Sequence, residues 1–222
     1  MNSAMIELII LAVVAVFVFM RLKNVLGTRT GFEKHTGPLP NGDPAPRRRD
    51  FSVIEGGADR EEEIAAIAEP GSETADALRR MAAAEPEFSP AEFIKGARRA
   101  YEMILIAFEN GDTETLRPLL APDVFDSFVA AIGEREDKGL TVEARFIGVR
   151  ESKIFSAIFN QETGEADIEI RFVGELISVV RNAEHEVVEG DPTEIRRQTD
   201  LWTFSRRMGV SDPNWLLTAT GG

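Results

Sequence analysis

The chain lacks cysteine entirely and contains only two histidines and one tyrosine among its 222 residues. The absence of cysteine excludes disulfides, thiolate zinc sites and cysteine nucleophiles. The two histidines, His35 and His185, lie far apart in segments of different character, which argues against a histidine-based metal centre. Basic residues are also scarce, with 25 Lys+Arg against 38 Asp+Glu and a formal net charge of −13. This balance argues against direct nucleic-acid binding, because phosphate neutralisation requires a clustered surplus of Lys and Arg.

The charge is divided unequally along the chain. Residues 1–50 hold 7 Lys+Arg and 4 Asp+Glu, a net charge of +3, whereas residues 51–222 hold 18 and 34, a net charge of −16. The two parts are therefore suited to different surroundings. The composition leaves a scaffold, an adaptor or a binding protein, or an enzyme that uses only carboxylates, hydroxyls and arginine. We expect no catalytic residue, no cofactor and no metal.

A long apolar run lies near the N-terminus. Residues 5–20 contain Glu7 as their only charge, and at about 1.5 Å per residue they reach roughly 24 Å, close to a bilayer core of about 30 Å. We therefore predict a single transmembrane anchor with its basic flank in residues 1–26. The predicted membrane-facing residues are Ile6, Leu8, Ile9, Ile10, Leu11, Val13, Val14, Val16, Phe17, Val18, Phe19 and Met20.

Two other interpretations of the apolar run are a cleaved signal peptide and a buried core helix. A cleaved signal peptide requires a basic segment before the run and small residues after it, and neither is present. A buried core helix is disfavoured because a polar segment follows the run. All the basic residues of residues 1–50 follow the run, so the positive-inside rule predicts an outside N-terminus and a body in the cytoplasm or the corresponding matrix compartment.

A flexible linker is predicted over residues 27–60, which are rich in Gly and Pro and lack sustained periodicity. Its three arginines at residues 47–49 suit either contact with anionic lipid headgroups or an ordinary solvated run of charges.

Residues 61–87 contain two helix-forming stretches separated by Pro70-Gly71, with Ser72 as a candidate N-cap. Their apolar faces are thin, so we expect these helices to dock on the domain, a partner or a membrane.

The main domain, residues 88–222, opens with a strong helix signal at Ser89-Pro90, an N-cap followed by proline at the first helical position. The helix is predicted to end at Asn110-Gly111, and two shorter helices follow. After Gly139 the apolar period changes from 3.6 to 2, which is typical of half-buried antiparallel strands. Three helices and then four long strands, interrupted by a charged excursion at residues 181–194, predict an α+β domain. In such a domain a curved sheet wraps around a helix and leaves an apolar cavity between them.

Three segments of this domain resemble a known family: SPAEFIKGARRAYEMILIAFENGD, LRPLLAPDVFDSF and LWTFSRRMGVSDPNWLLTATG. They resemble the C-terminal domain of the adaptor that tethers the import motor to the mitochondrial inner-membrane translocase, and especially its alphaproteobacterial members. The resemblance covers about residues 72–222 and implies the cone-shaped fold shared with nuclear transport factor two and ketosteroid isomerase. The family-motif residues, either structural or cavity-lining, are Tyr101, Trp202, Phe204, Arg206, Asp212, Pro213, Asn214 and Trp215.

The resemblance implies a membrane-associated adaptor in protein translocation or membrane-proximal protein handling. Its implied partners are the lipid bilayer and components of a translocase, a chaperone or a ribosome, and its implied place is the bacterial inner membrane. The long coiled region through which the mitochondrial adaptor recruits its chaperone has no counterpart here, so chaperone recruitment does not follow. Attachment of ribosomes to the membrane and binding of a lipid or small ligand are the alternatives.

Several motif residues have two interpretations. The aromatic residues Trp202, Phe204 and Trp215 suit a plain core better than a ligand cavity, and Asp212-Pro213-Asn214 suits a tight turn. The arginine pairs at residues 196–197 and 206–207 suit either a basic patch or cross-strand pairs with Glu165, Asp167 and Glu169. The inward strand positions are predicted to be apolar, without a buried carboxylate. A carboxylate paired with Tyr101 inside the cavity would instead favour catalysis.

Overall fold

The computed structural model describes residues 57–221, and the predicted anchor lies outside these residues. The helices come first along the chain: α1 (Gly57–Ile67), α2 (Glu73–Ala84), α3 (Pro90–Asn110), α4 (Thr113–Leu116) and α5 (Pro122–Asp137). The strands follow: β1 (Thr141–Phe159), β2 (Glu165–Arg181), β3 (Val187–Gly190), β4 (Arg196–Arg207) and β5 (Leu216–Gly221). The predicted order of helices before an antiparallel sheet is confirmed. Between residues 57 and 221, no helix is both long enough and apolar enough to span a membrane.

Local capping fixes the long helix α3. The Ser89 side chain accepts a hydrogen bond from the Glu92 amide, and Pro90 occupies the first turn, as the sequence predicts. The helix ends where Gly111 adopts a left-handed conformation with φ of 69°, a backbone state that glycine reaches without strain. Ser72 caps α2 in the same way by accepting from the Ala75 amide.

The sheet is antiparallel, with the order β1-β2-β4-β5, and β3 also pairs with β2. Along β2, buried and half-buried positions alternate, as expected for a strand with one face in the core. Three register shifts interrupt the long pairing of β1 with β2, and bulges of this kind bend a strand. Strand β3 lies within residues 181–194, which the sequence analysis describes as a charged excursion between strands, so the sheet has one short strand more than the four predicted.

The core lies between the inner face of the sheet and α3. Tyr101 and Ile104 of α3 are fully buried, as are Ile168 and Ile170 of β2. The two N-terminal helices pack onto the same core, to which α1 contributes Ile64 and α2 contributes a set of apolar residues: Ala75, Ala77, Leu78, Met81 and Ala82. Helix α1 begins at Gly57, inside the last four residues predicted as linker.

Candidate functional site

Aromatic side chains fill the space between α3 and the inner face of the sheet. The Tyr101 ring stacks on Phe172 with the centroids 4.4 Å apart and tilts against Trp202 at 4.6 Å. Phe93 lies edge-on to Phe204, with the ring centroids 6.2 Å apart. Trp202 and Phe204 are therefore core residues, as predicted. These rings fill the space beside Tyr101, so the open part of the predicted cavity lies only towards the end of α3.

A small polar cluster interrupts this aromatic layer. The Tyr101 hydroxyl donates to the Asp200 carboxylate at 2.5 Å, and the Gln198 amide donates to both Asp200, at 2.8 Å, and the Tyr101 oxygen, at 3.3 Å. The ring of Tyr101 reaches Asp200 over Gly174 of β2, where a Cβ would lie 2.6 Å from the tyrosine oxygen. A glycine is required at this position because the phenol crosses the strand backbone there.

The cluster corrects the prediction that the inward strand positions carry no carboxylate. Strand β4 places alternate residues on one face, so Asp200 shares the inner face with Trp202 two residues later. The spacing of two residues between Asp200 and Trp202 is the feature of the sequence that indicates Asp200 as an inward-facing residue. Burial and then the hydrogen bond to Asp200 raise the pKa of the Tyr101 hydroxyl, which keeps it protonated. Tyr101 has no exposed surface, so its hydroxyl acts on Asp200 and not on a ligand in solvent.

A pocket of about 520 Å³ opens at the end of α3 beyond this cluster, and we call it the charged pocket. Apolar side chains from α3 and the sheet line part of it, and ionisable side chains from α3, α5, β3 and β4 line the rest. The lining residues include Phe108, Glu109, Arg135, Leu176, Glu189, Arg196 and Arg197. Gln198 also lines it and connects the charged pocket to the Tyr101–Asp200 pair.

One carboxylate of the charged pocket is held in an unfavourable setting. Glu109 lies in the last turn of α3, where the helix dipole disfavours a negative charge. Burial raises the pKa of its carboxyl, Arg135 at 4.0 Å lowers it, and the nearby Glu189 raises it, with a net shift above the ordinary value. The Glu109 carboxylate accepts no side-chain or backbone hydrogen bond from residues 57–221. Arg135 instead donates to the main-chain oxygens of Phe108 and Glu109.

The arginine of the family motif ties α2 to the sheet. Arg206 donates to both carboxylate oxygens of Glu85, at 2.8 and 2.7 Å, and its Nε donates to the carbonyl of Asp212. Its guanidinium lies 6.0 Å from the centroid of Trp215. Burial alone would raise the pKa of Glu85, but hydrogen bonds from Arg206 and the Gly209 amide outweigh it and lower that pKa. The sequence does not indicate Glu85 as the partner of Arg206, because nothing local marks a residue 121 positions away.

The remaining motif residues form a turn, as predicted. The Asp212 side chain accepts from the amide and the side chain of Asn214, on either side of Pro213.

The two arginine pairs do not form one basic patch. Their partners differ: Arg196 lies 3.8 Å from Glu189, Arg197 donates to Glu175 at 3.2 Å, and Arg207 donates to the Thr163 carbonyl. Asp167, one of the predicted cross-strand partners, instead accepts from Ser205.

The geometry defines an α+β domain in which one long helix lies on the inner face of a bent antiparallel sheet, with a polar cluster and a pocket at the end of that helix. Residues 74–222 match the family model of the Tim44-like domain. Because this match covers more than half of the chain, the chain belongs to the Tim44-like domain family. The expected resemblance to the import-motor adaptor family is thereby confirmed at the level of the domain.

Individual proteins are similar at lower levels. Human mitochondrial import inner membrane translocase subunit TIM44 (Homo sapiens) is 24% identical over 143 residues, which cover 64% of this chain and 31% of that protein. The chain thus spans about a third of the length of this relative. Among solved structures, the intermembrane space region of the chloroplast protein ARC6 is 16% identical, with a TM-score of 0.39 over 59% of this chain and 92% of that one.

Proposed function

We propose that the chain is a membrane-anchored, non-catalytic adaptor that presents a protein-binding domain in protein translocation or membrane-proximal protein handling. The observation that carries this proposal is the Tim44-like domain over residues 74–222, together with the similarity to a subunit of a mitochondrial import translocase. The apolar run of residues 5–20 supports the anchor. The finer proposal is that the chain is the alphaproteobacterial adaptor TimA, with a cone-shaped domain. The basic residues that follow the apolar run support an N-out orientation in the bacterial inner membrane.

Two features of the domain support a role without catalysis. Tyr101 does pair with a carboxylate, Asp200, which would favour catalysis inside an open cavity, but Tyr101 has no exposed surface from which its hydroxyl could reach a substrate. Arg206 is engaged with Glu85, Asp212 and Trp215, so this part of the motif stabilises the fold. The accessible surface of the domain carries exposed apolar side chains among charged ones. Surfaces of this mixed kind are common at protein interfaces.

Crosslinking in native membranes followed by mass spectrometry tests the proposal. We expect crosslinks to components of secretion or chaperone machinery. Crosslinks to ribosomal proteins would favour ribosome attachment instead, and the absence of any protein crosslink would contradict the adaptor role. Protease protection in intact cells tests the orientation, because digestion of the domain from the periplasmic side would refute the N-out arrangement.

A further inference from the structure

Helix α3 carries a row of exposed residues on the side opposite to its buried residues Tyr101 and Ile104, and we call this row the outer stripe. Its members recur at spacings of three and four residues, as one helix face requires: Glu92, Lys95, Arg99, Glu102, Met103, Ile106 and Asn110. Two of them are large apolar residues one turn apart, Met103 at 45% exposed and Ile106 at 39%. A helix face that meets only water is ordinarily polar, so this pair indicates contact with another surface.

The outer stripe forms one wall of a groove of about 460 Å³ between α3 and α4. Met103, Ile106 and Ala107 of α3 line it, together with Asp112 and Thr115 at the start of α4. Hydrogen bonds from the hydroxyl and the amide of Thr115 lower the pKa of Asp112, so this carboxylate is charged. A groove beside an exposed helix can receive the ridge of side chains of a second helix.

A glycine on the same side of α3 also points to a second chain. Gly96 lies in the interior of the helix, where glycine is destabilising relative to alanine, and it is exposed. A Cβ at this position would meet no atom within 4 Å, so no contact within residues 57–221 requires glycine there. Gly96 precedes Met103 by about two helical turns. It therefore leaves room for another backbone to approach the outer stripe closely.

The charges of the groove have opposite signs at its two ends. Arg99 lies towards the start of α3 and Asp112 lies beyond its end, with Met103 and Ile106 between them. Arg99 forms no hydrogen bond or ion pair within residues 57–221. A partner helix with charges of a single sign would be repelled at one end of the groove. A second copy of α3 in antiparallel orientation suits both ends, because Arg99 of each copy then approaches Asp112 of the other.

The sequence positions of these residues agree on one two-fold axis. In an antiparallel pair of identical helices, residues that face each other lie at equal distances from the axis along the chain. The midpoint of Met103 and Ile106 lies between residues 104 and 105, and so does the midpoint of Arg99 and Asn110. The midpoint of Arg99 and Asp112 lies one position further on. One axis therefore brings the apolar residues together and places each Arg99 at the acidic end of the opposite groove.

We propose that the outer stripe of α3 is a self-association surface, on which the α3 helix of a second copy of this chain docks in antiparallel orientation. Met103 and Ile106 pack across the two-fold axis, and Arg99 of each copy pairs with Asp112 of the other. The outer stripe contains two acidic and two basic residues, so it lacks the excess negative charge that residues 51–222 carry as a whole. This inference goes beyond the proposed adaptor function and does not depend on it.

Disulfide crosslinking of the full-length chain in native membranes tests the proposal. Because the chain has no cysteine, each variant carries only the introduced thiols. Position 99 of one copy should face position 110 of the other. Equal positions, and the two positions within one chain, lie about 16 Å apart, beyond the Cα separation of about 4.4–6.8 Å that a disulfide spans. Oxidised Arg99→Cys/Asn110→Cys should therefore give a covalent dimer at roughly ten times the yield of either single variant.

Two substitutions of an exposed isoleucine on the sheet provide the controls. Ile158→Cys, at a residue that is 65% exposed on β1, measures the yield from chance collisions and should match the single variants. Ile106→Arg, added to the double-cysteine variant, should reduce the dimer about tenfold, because two like charges would meet at the axis. Ile158→Arg in the same background is its matched control and should leave the yield unchanged.

Four outcomes would overturn the proposal. A yield from the double-cysteine variant no higher than that of Ile158→Cys would show that the outer stripe does not pair with itself. Equal yields from the double and a single variant would exclude the antiparallel arrangement. An equal loss of dimer with Ile106→Arg and Ile158→Arg would exclude the apolar contact at the axis. Capture of a different protein in place of a second copy would assign the outer stripe to another partner.

Discussion

Replacing Gly174 with alanine sets two opposing effects against each other. In the interior of a strand, alanine is ordinarily favoured over glycine by about 0.5–1 kcal/mol, because glycine loses more backbone entropy on folding. At Gly174, however, the added Cβ would lie 2.6 Å from the oxygen of Tyr101 and 3.1 Å from its Cε1. Ordinary contacts between such atoms are about 3.5–4.0 Å, so the phenol must move by roughly 1 Å.

The surroundings leave the phenol little room to move. Phe172 stacks on one side of the Tyr101 ring, Trp202 packs against it, and the hydroxyl is hydrogen-bonded to Asp200. Overpacking of this kind costs about 1–3 kcal/mol, and loss of a hydrogen bond to a charged group costs about 1.5–3 kcal/mol. We therefore expect Gly174→Ala to destabilise the fold by about 3 kcal/mol. In a domain of this size the melting temperature should fall by about 6–12 °C.

Thermal unfolding measures the loss, and the single tyrosine of the chain offers an independent probe. In the parent protein the raised pKa of Tyr101 should prevent formation of tyrosinate, followed by near-UV absorbance, until alkali unfolds the domain. In Gly174→Ala the phenol should ionise at lower pH. Gly148→Ala is the matched control in the neighbouring strand, because no atom lies within 4 Å of its added Cβ. A melting temperature of Gly174→Ala equal to or above that of the parent would refute the reasoning.

Three further substitutions follow from the same contacts. Tyr101→Phe should cost about 2 kcal/mol in urea unfolding, because Asp200 loses its hydroxyl donor; a loss below about 0.5 kcal/mol would contradict this. Glu85→Gln should cost about 1–2 kcal/mol at neutral pH, because the lowered pKa of Glu85 means that its ionised form stabilises the fold. This difference should shrink as the pH falls below the unfolded value of about 4.5 and vanish as the pH falls through the lowered pKa of the folded state, which an acid series of unfolding curves measures. Glu109→Gln should leave the free energy of unfolding unchanged or increase it at pH 7. The pKa of Glu109 is raised, so its ionised form destabilises the fold, and this cost is relieved as the pH falls. A lower melting temperature of Glu109→Gln at pH 7, measured by calorimetry, would contradict this.

The features that the sequence predicts well are those with local causes. The N-cap Ser89 and the following proline mark the start of α3, and Gly111 marks its end, because capping depends on residues within one turn. The change of apolar period after Gly139 likewise predicts where the strands begin, and β1 starts at Thr141, since one face of that strand must be buried.

The features that the sequence misses depend on distant partners. Strand β3 has four exposed residues and no apolar alternation, and it exists because β2 extends beyond the start of β4 and offers free backbone groups. The Glu85 partner of Arg206 is invisible locally for the same reason. The extent of the predicted cavity is a matter of volume, because periodicity shows which residues face inward but not how far the rings of Tyr101 and Trp202 fill the space between α3 and the sheet.

The joint between α1 and α3 has a mechanical consequence. One oxygen of Glu63 in α1 accepts from the Ser89 hydroxyl at 2.5 Å and from the Ala91 amide at 2.6 Å, so α1 contributes to the N-terminal cap of α3. A pull on the chain before residue 57 would therefore act first on these two hydrogen bonds and on the buried Ile64. Detachment of α1 would take an acceptor from the first turn of α3 and Ile64 from the core at the same time, so the start of α3 and the docking of α1 are coupled.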